Sequence, residues 1–191
     1  MDRLGKLTFK IYENTDKEAL LDFCQACSEL GYKNNSSPEA MKLDSAYFFL
    51  ALDNDKIVSV AGVHKLPEIN EHAWRCLFRG AQLPGYTPVW SMDIFKSGIH
   101  FSQFLYRQIK LIQDIDSQAE FYVSTNVKSD TGAKSSRIND VMMPRIAKRG
   151  IWNLYLENFE LYYVTQNLWK VNVDVYMAAR ERWLSGESYI D

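Results

Sequence analysis

Two residues of this chain combine proton-transfer chemistry with an apolar setting. His64 closes the run Val58-Ser59-Val60-Ala61-Gly62-Val63-His64. An imidazole, with an ordinary pKa of about 6.5, takes up and returns protons near neutrality. Asp93 stands in Val89-Trp90-Ser91-Met92-Asp93-Ile94-Phe95, where an unpaired carboxylate is costly to bury. Each has a functional and a structural reading. His64 shares strand parity with Val58, Val60 and Gly62, so it is either a general base or a hydrogen-bonded side chain in a packed layer. Asp93 is either functional or an edge-facing group paired with Arg75 or Arg79.

A second constellation suits phosphate. Lys96-Ser97-Gly98-Ile99-His100-Phe101 leads into an amphipathic stretch. A helix start offers unpaired N–H groups and the positive end of the macrodipole. Lys96 adds charge, Gly98 permits close backbone approach, and His100 is placed to contact phosphate. The competing reading is an ordinary turn. Cys24-x-x-Cys27 has metal-ligand spacing but no second ligand pair, so two small buried thiols are expected and no metal site. Arg75, Arg79, Lys96, Lys134, Arg137, Arg145, Lys148 and Arg149 form either a basic surface or scattered solvated charge. Trp152, Tyr155, Tyr162, Tyr163 and Trp169 suit base stacking, yet at strand spacing they read as sheet-packing aromatics. The chain carries no nucleophile elbow, P-loop or dinucleotide fingerprint, which argues against hydrolases, NTPases and oxidoreductases.

The elements that must position these residues follow from pattern. Leu7, Phe9 and Ile11 alternate with polar neighbours in a strand over Lys6–Glu13. Thr15-x-x-Glu18 reads as a capping box before a helix with Ala19, Leu20, Phe23, Cys27 and Leu30 on one face, ended by Gly31. Ser37-Pro38-Glu39 opens a short helix. Tyr47–Leu52 and Ile57–Val63 form a hairpin about Asp53-Asn54-Asp55. Strands are expected over Trp74–Phe78 and Val89–Phe95, and a helix over 99–115 bearing Phe101, Phe104, Leu105, Ile109, Ile112 and Ile115. A strand over Glu120–Val123 precedes a helix capped by Ser135 or Ser136, with Ile138, Val141, Met142 and Ile146 on it, kinked at Pro144 and ended at Gly150. Two strands fill Ile151–Tyr176, and the last fifteen residues read as helical or frayed. The expected class is α+β (mixed α/β), a mixed, largely antiparallel sheet flanked by helices.

The totals agree with one domain over residues 1–191, the final fifteen residues or so being a possible appendage. The chain has 191 residues, 47% of them hydrophobic, and a formal charge of −2, which gives no general attraction to nucleic acid or anionic lipid. Three cysteines do not make a disulfide scaffold. No apolar run reaches the roughly 18 residues of a membrane span, and Met1-Asp2-Arg3-Leu4-Gly5-Lys6 lacks a secretion-signal core. A soluble, cytoplasmic protein is expected.

This element order resembles the GNAT (Gcn5-related N-acetyltransferase) fold across nearly the whole chain. The segment Trp90 to Phe101 is similar to the strand, turn and helix that bind the pyrophosphate of coenzyme A in that family, with Lys96 in place of its Gln/Arg and one glycine, Gly98. Ser124-Thr125-Asn126, followed by Ala147-Lys148-Arg149-Gly150-Ile151-Trp152, resembles a second family pattern. That pattern implies that Asn126 contacts the pantetheine or its neighbours. Its thiolate-reprotonating Tyr is here Ile146, so Ser124 or water donates that proton, or the acyltransferase reaction is absent. Ser124 and Asn126 also read as a strand-end turn.

The resemblance implies an acyltransferase using acetyl-CoA or another acyl-CoA as co-substrate, with an amine as acceptor. His64 or Asp93 would deprotonate the acceptor, Ile94 and Phe95 would line the thioester arm, and Lys96, Ser97, Gly98, Ile99, His100 and Phe101 would hold the pyrophosphate. Trp74 to Gly85 is the expected acceptor side. The acceptor, whether small molecule or macromolecule, and the oligomeric state are left open. No membrane partner is expected, and nucleic acid is a partner that net charge does not indicate. The chain also resembles divergent GNAT-like proteins of large tailed bacteriophages, some of whose relatives modify nucleobases. Two other functions fit the same residues: a non-catalytic interaction protein, or a nucleic-acid-directed enzyme using another activated donor.

Overall fold

The computed structural model describes residues 7–32, 37–86, 99–127, 143–161 and 164–184, with residues 99–102 and 183–184 described by their backbone alone. Among the described residues, seven strands form one sheet: β1 (Thr8–Ile11), β2 (Tyr47–Asp53), β3 (Lys56–Lys65), β4 (Ala73–Gln82), β5 (Glu120–Asn126), β6 (Trp152–Leu161) and β7 (Val164–Val171). Their order is β1-β2-β3-β4-β5-β7-β6. Every neighbouring pair is antiparallel except β4 and β5. A parallel pair needs a crossover, which the chain between β4 and β5 supplies with the helix α3 (Ile99–Ile115).

Hydrophobic residues of the two sheet faces recruit different helices. On one face Phe49, Ala61, Val63, Trp74, Cys76, Phe121 and Val123 meet Phe104, Leu105, Ile109 and Ile112 of α3. Met143 and Ile146 of α4 (Met143–Lys148) and Tyr176 and Ala179 of α5 (Val173–Leu184) complete this layer. On the other face Phe48, Leu50, Leu52, Ile57 and Val60 are covered by α1 (Lys17–Glu29) and α2 (Pro38–Lys42), through Leu20, Phe23, Cys24, Cys27 and Met41. The arrangement is the mixed, largely antiparallel sheet flanked by helices that the pattern implied. Among the described residues, no helix is long and apolar enough to cross a membrane.

Local chemistry explains most boundaries. Asn54 and Asp55 take φ of 47° and 65°, the left-handed pair of a two-residue hairpin turn, which Asn and Asp tolerate. Ser37 Oγ accepts the Ala40 N–H at 3.1 Å, with Pro38 at the first helical position. The capping box lies two residues earlier than expected. Glu13 and Asp16 cap each other across a 3-10 turn, Asn14–Asp16, and the Asp16 carboxylate receives the Glu13 N–H at 3.0 Å. Asp16 also binds Lys10 on β1, a cross-element partner that Thr15 does not offer. Leu30, expected on the buried face of α1, is exposed because it sits past the helix end, where Gly31 turns the chain at φ 77°.

β4 and β5 are both longer than expected. Residues 87–98, with the expected strand Val89–Phe95 and the residues Asp93, Ile94, Phe95, Lys96, Ser97 and Gly98, lie outside the described residues. So do residues 128–142, including the expected helix start at Ser135 or Ser136. Trp152 and Trp169 are buried in the sheet and Tyr155 is exposed, while Tyr162 and Tyr163 fall outside.

Candidate functional site

The site is built where β4 leaves β5. The parallel ladder joins Ala73, Trp74 and Arg75 to Glu120, Phe121 and Tyr122, and among the described residues it stops there. β4 runs on to Gln82 and β5 to Asn126, β4 still paired to β3 and β5 to β7. The two strands thus form a fork whose inner backbone edges face one another without a shared ladder.

The cause lies in β4. His64 pairs with Arg75, Gly62 with Phe78, and Val60 with Ala81. Two steps on β3 therefore match three on β4, twice over. Each extra residue is a bulge, and Leu77 and Arg79 take φ of 58° and 50° within them. Bulges bend and twist the strand that carries them, which moves β4 off the line of β5. A left-handed non-glycine residue costs of order 1–3 kcal/mol, a strain that recurs at functional sites.

The bulges also choose the side chains. Arg75, Phe78 and Ala81 face the same side, although simple alternation would put Phe78 on the other. That side carries His64 of β3 and, through the register of β5 and β7, Tyr122, Ser124 and Gln166. His64 stacks on Phe78 with ring centroids 4.2 Å apart and planes 19° apart. The guanidinium groups of Arg75 and Arg79 each lie 5.0 Å from the Phe78 ring centroid. Burial first, and then the charges of Arg75 and Arg79, push the His64 pKa down to about 3. The near-neutral basicity that made His64 attractive as a base is suppressed in this setting, and the imidazole stays neutral.

Gln166 ties the fork together. Its Nε2 donates to the carbonyls of Leu161 and Val164 at 3.2 and 3.4 Å, which fixes the amide orientation. Its Oε1 then accepts from Arg75 Nη2 at 2.6 Å and from Ser124 Oγ at 2.7 Å. The Ser124 hydroxyl proton is committed to Gln166, so the oxygen offers lone pairs rather than a proton. Asn126 ends β5 in register with Gln166 and is exposed. Thr125 points to the other face and receives the Trp169 Nε1–H at 3.0 Å.

The structure thus brings His64, Ser124 and Asn126 to one face of the fork. The backbone of Ile99, His100 and Phe101 forms the first turn of α3, and the side chains of these three lie outside the description. Ile146, at the position of the family's Tyr, is a buried side chain of the core and carries no proton to donate. Cys24 and Cys27 are buried, with thiols pushed up to about 11 and 12, by burial first. They remain protonated and pack as small apolar groups. Gln166 and Gln108, both essential to the geometry, were not singled out from sequence. The signal available was a lone Gln on the otherwise apolar face of an amphipathic helix, at position 108.

No protein-family model matches the sequence, and no curated protein matches it. Solved structures do. An acyl-CoA N-acyltransferase from Pseudomonas aeruginosa superposes with a TM-score of 0.53 at 12% identity, over 86% of this chain and 97% of that one. The fold is that of the GNAT acetyltransferases. A GNAT-family acetyltransferase from Staphylococcus aureus Mu50 gives 0.55 at 11% identity, covering 87% and 99%. The aminoglycoside 6'-N-acetyltransferase of Enterococcus faecium gives 0.51 at 12%, covering 85% and 95%. Identities this low establish the GNAT fold and leave activity to the site itself.

Proposed function

We propose that the protein transfers an acyl group from an acyl-CoA to an amine, with the thioester lying in the fork between β4 and β5. The observation that carries this reading is the doubly bulged β4, which parts from its ladder with β5 beyond Arg75, beside a polar cluster. Backbone N–H groups of the central strands would polarise the thioester carbonyl as the amine attacks. The C–N bond forms as the C–S bond breaks, and the departing thiolate takes a proton. A thiol of pKa about 8.5 is a tolerable leaving group without a dedicated acid. Water is the donor that best fits a site where Ser124 gives its proton to Gln166 and Ile146 has none.

For the acceptor proton, Asp93 is the preferred base. His64 is assigned a neutral, positioning role, because burial first and then two guanidinium groups oppose its charging. Lys96, Ser97, Gly98 and the first turn of α3 are assigned to the pyrophosphate, Ile94 and Phe95 to the thioester arm, and Asn126 to the pantetheine.

Calorimetric titration with acetyl-CoA and with free coenzyme A tests the reading. Micromolar binding, lost in the Lys96→Ala/Gly98→Glu double variant, is the expected result. No heat and no thermal shift at millimolar ligand would sink it and favour a non-catalytic interaction protein, the reading to which Ile146 already lends weight.

A further inference from the structure

Gln108 lies at the middle of α3 and is fully buried, an expensive place for a primary amide unless its polar atoms are all engaged. They are. Oε1 accepts the N–H of Leu77, the left-handed bulge residue of β4, at 3.1 Å. Nε2 donates to the carbonyls of Gly62 and Ala61 on β3 at 3.0 and 3.4 Å. One side chain therefore binds the bulge, the strand opposite it and the helix whose first turn follows Gly98. Nine residues of helix, about 14 Å along the axis, separate Gln108 from Ile99. A helix is stiff over that length, so the seating of Gln108 sets where the start of α3 stands relative to the fork.

We propose that Gln108 is the positioning residue of the acyl-CoA cleft, holding the first β4 bulge open and setting the start of α3 against it. The proposal rests on the acyltransferase reading above and adds to it a residue that touches no substrate. The contacts of Gln108 set two separate requirements. An acceptor must meet Leu77 N–H, and a donor must meet the Gly62 carbonyl. A protonated carboxylic acid satisfies both, whereas a carboxylate satisfies only the first.

The test is therefore acetyl-CoA titration of the wild-type chain and of Gln108→Glu over a range of about pH 6 to 9.5. Buried glutamic acids titrate as high as about 8–9, so the variant carboxyl passes from neutral to charged within this range. The hydrophobic side chains of the same core layer, among them Phe49, Ala61, Val63, Leu105 and Ile109, carry no charge, its Tyr176 is titratable, and Arg75 and Arg79 flank Leu77 along β4. The Cys76 thiol beside Leu77 is pushed up by burial and stays protonated.

The expected result is near-wild-type affinity for Gln108→Glu at the acid end and a loss of at least about tenfold, roughly 1.4 kcal/mol, at the alkaline end, with the wild type nearly flat. The Leu77 amide, bonded to the side chain of Gln108, should exchange slowly with solvent in the wild type. Should that variant unfold in alkali, Gln108→Asn, neutral and one methylene shorter, gives the comparison at one pH, with about tenfold weaker binding expected. A variant that follows the wild type throughout, or a rapidly exchanging Leu77 amide in the wild type, overturns the proposal while leaving the acyltransferase reading intact. A wild-type chain that binds no acetyl-CoA removes that reading, and the proposal with it.

Discussion

The two ends of the β4–β5 pair are built on opposite principles. At the closed end, three ladder pairs are reinforced from every side. Glu120 binds Lys170 at 2.6 Å, Tyr122 Oη at 2.8 Å and Asn70 at 3.0 Å. Asp116, just past α3, receives Trp74 Nε1–H at 3.3 Å and lies 3.1 Å from His72 Nδ1. At the open end β4 bulges twice, and side chains rather than a ladder span the gap, through Arg75, Gln166 and Ser124. The difference teaches that the fork is held by its clamped base and tuned at its mouth. Stability should therefore respond chiefly to one end, and ligand affinity to the other.

The largest expected effect breaks the closed end. Tyr122→Ala removes a fully buried ring that stacks edge-on with Tyr155 and binds Glu120. A loss of about 3–5 kcal/mol is expected from the cavity alone, read as a shift of the urea midpoint. A small shift would mean that the clamp is not where the sheet gets its cohesion.

The next effect belongs to the open end and depends on pH. The pKa of His64 is depressed to about 3 in the folded chain, against an ordinary value of about 6.5 when unfolded. The unfolded chain thus binds a proton that the folded chain refuses, and stability falls as pH drops from about 6.5 towards 3. At pH 5 this contributes about 2 kcal/mol of acid lability. The variant His64→Gln should lose that share of the pH dependence in urea titrations at pH 5 and pH 8. Equal pH dependence in variant and wild type would show that His64 is not held in a buried, arginine-flanked setting.

The smallest effect on stability should have the clearest effect on binding. A Cβ added at Gly62, opposite Phe78 between the bulges, would stand 2.3 Å from Ser45 Oγ and 3.2 Å from the Phe78 carbonyl. The serine oxygen can rotate away, but the backbone carbonyl must move. Gly62→Ala is expected to cost about 1 kcal/mol, the low end of overpacking, and to weaken acetyl-CoA binding by shifting β4. The Ser45→Gly second change should recover stability more than affinity. If affinity holds while stability falls, the two ends do not divide the work.

Much of the scaffold was legible in the chain because it obeys local rules. The β2–β3 hairpin, the Ser37-Pro38 helix start, the Gly31 and Gly150 ends and the amphipathic face of 99–115 each follow from a few neighbouring residues. Their order was enough to suggest the GNAT fold. His64 and Ser124 were legible as candidates, a titratable residue at a strand end and part of a resemblance. Their chemistry was not. A pKa depends on what burial and Arg75 and Arg79 do to His64, and a proton inventory depends on Gln166, forty-two positions from Ser124.

What the sequence determined by itself is the set of elements and their order, since periodicity and caps act over a few residues. Only the tertiary structure decided which face each β4 side chain takes. Alternation places Trp74, Cys76 and Phe78 together, yet the bulge at Leu77 turns Phe78 to the face of His64 and leaves Cys76 in the core with α3. A bulge is a mismatch between two strands, stabilised here by a glutamine from a helix in contact with both. No single segment of the chain contains that information, because the partners that define it meet only when the sheet is assembled.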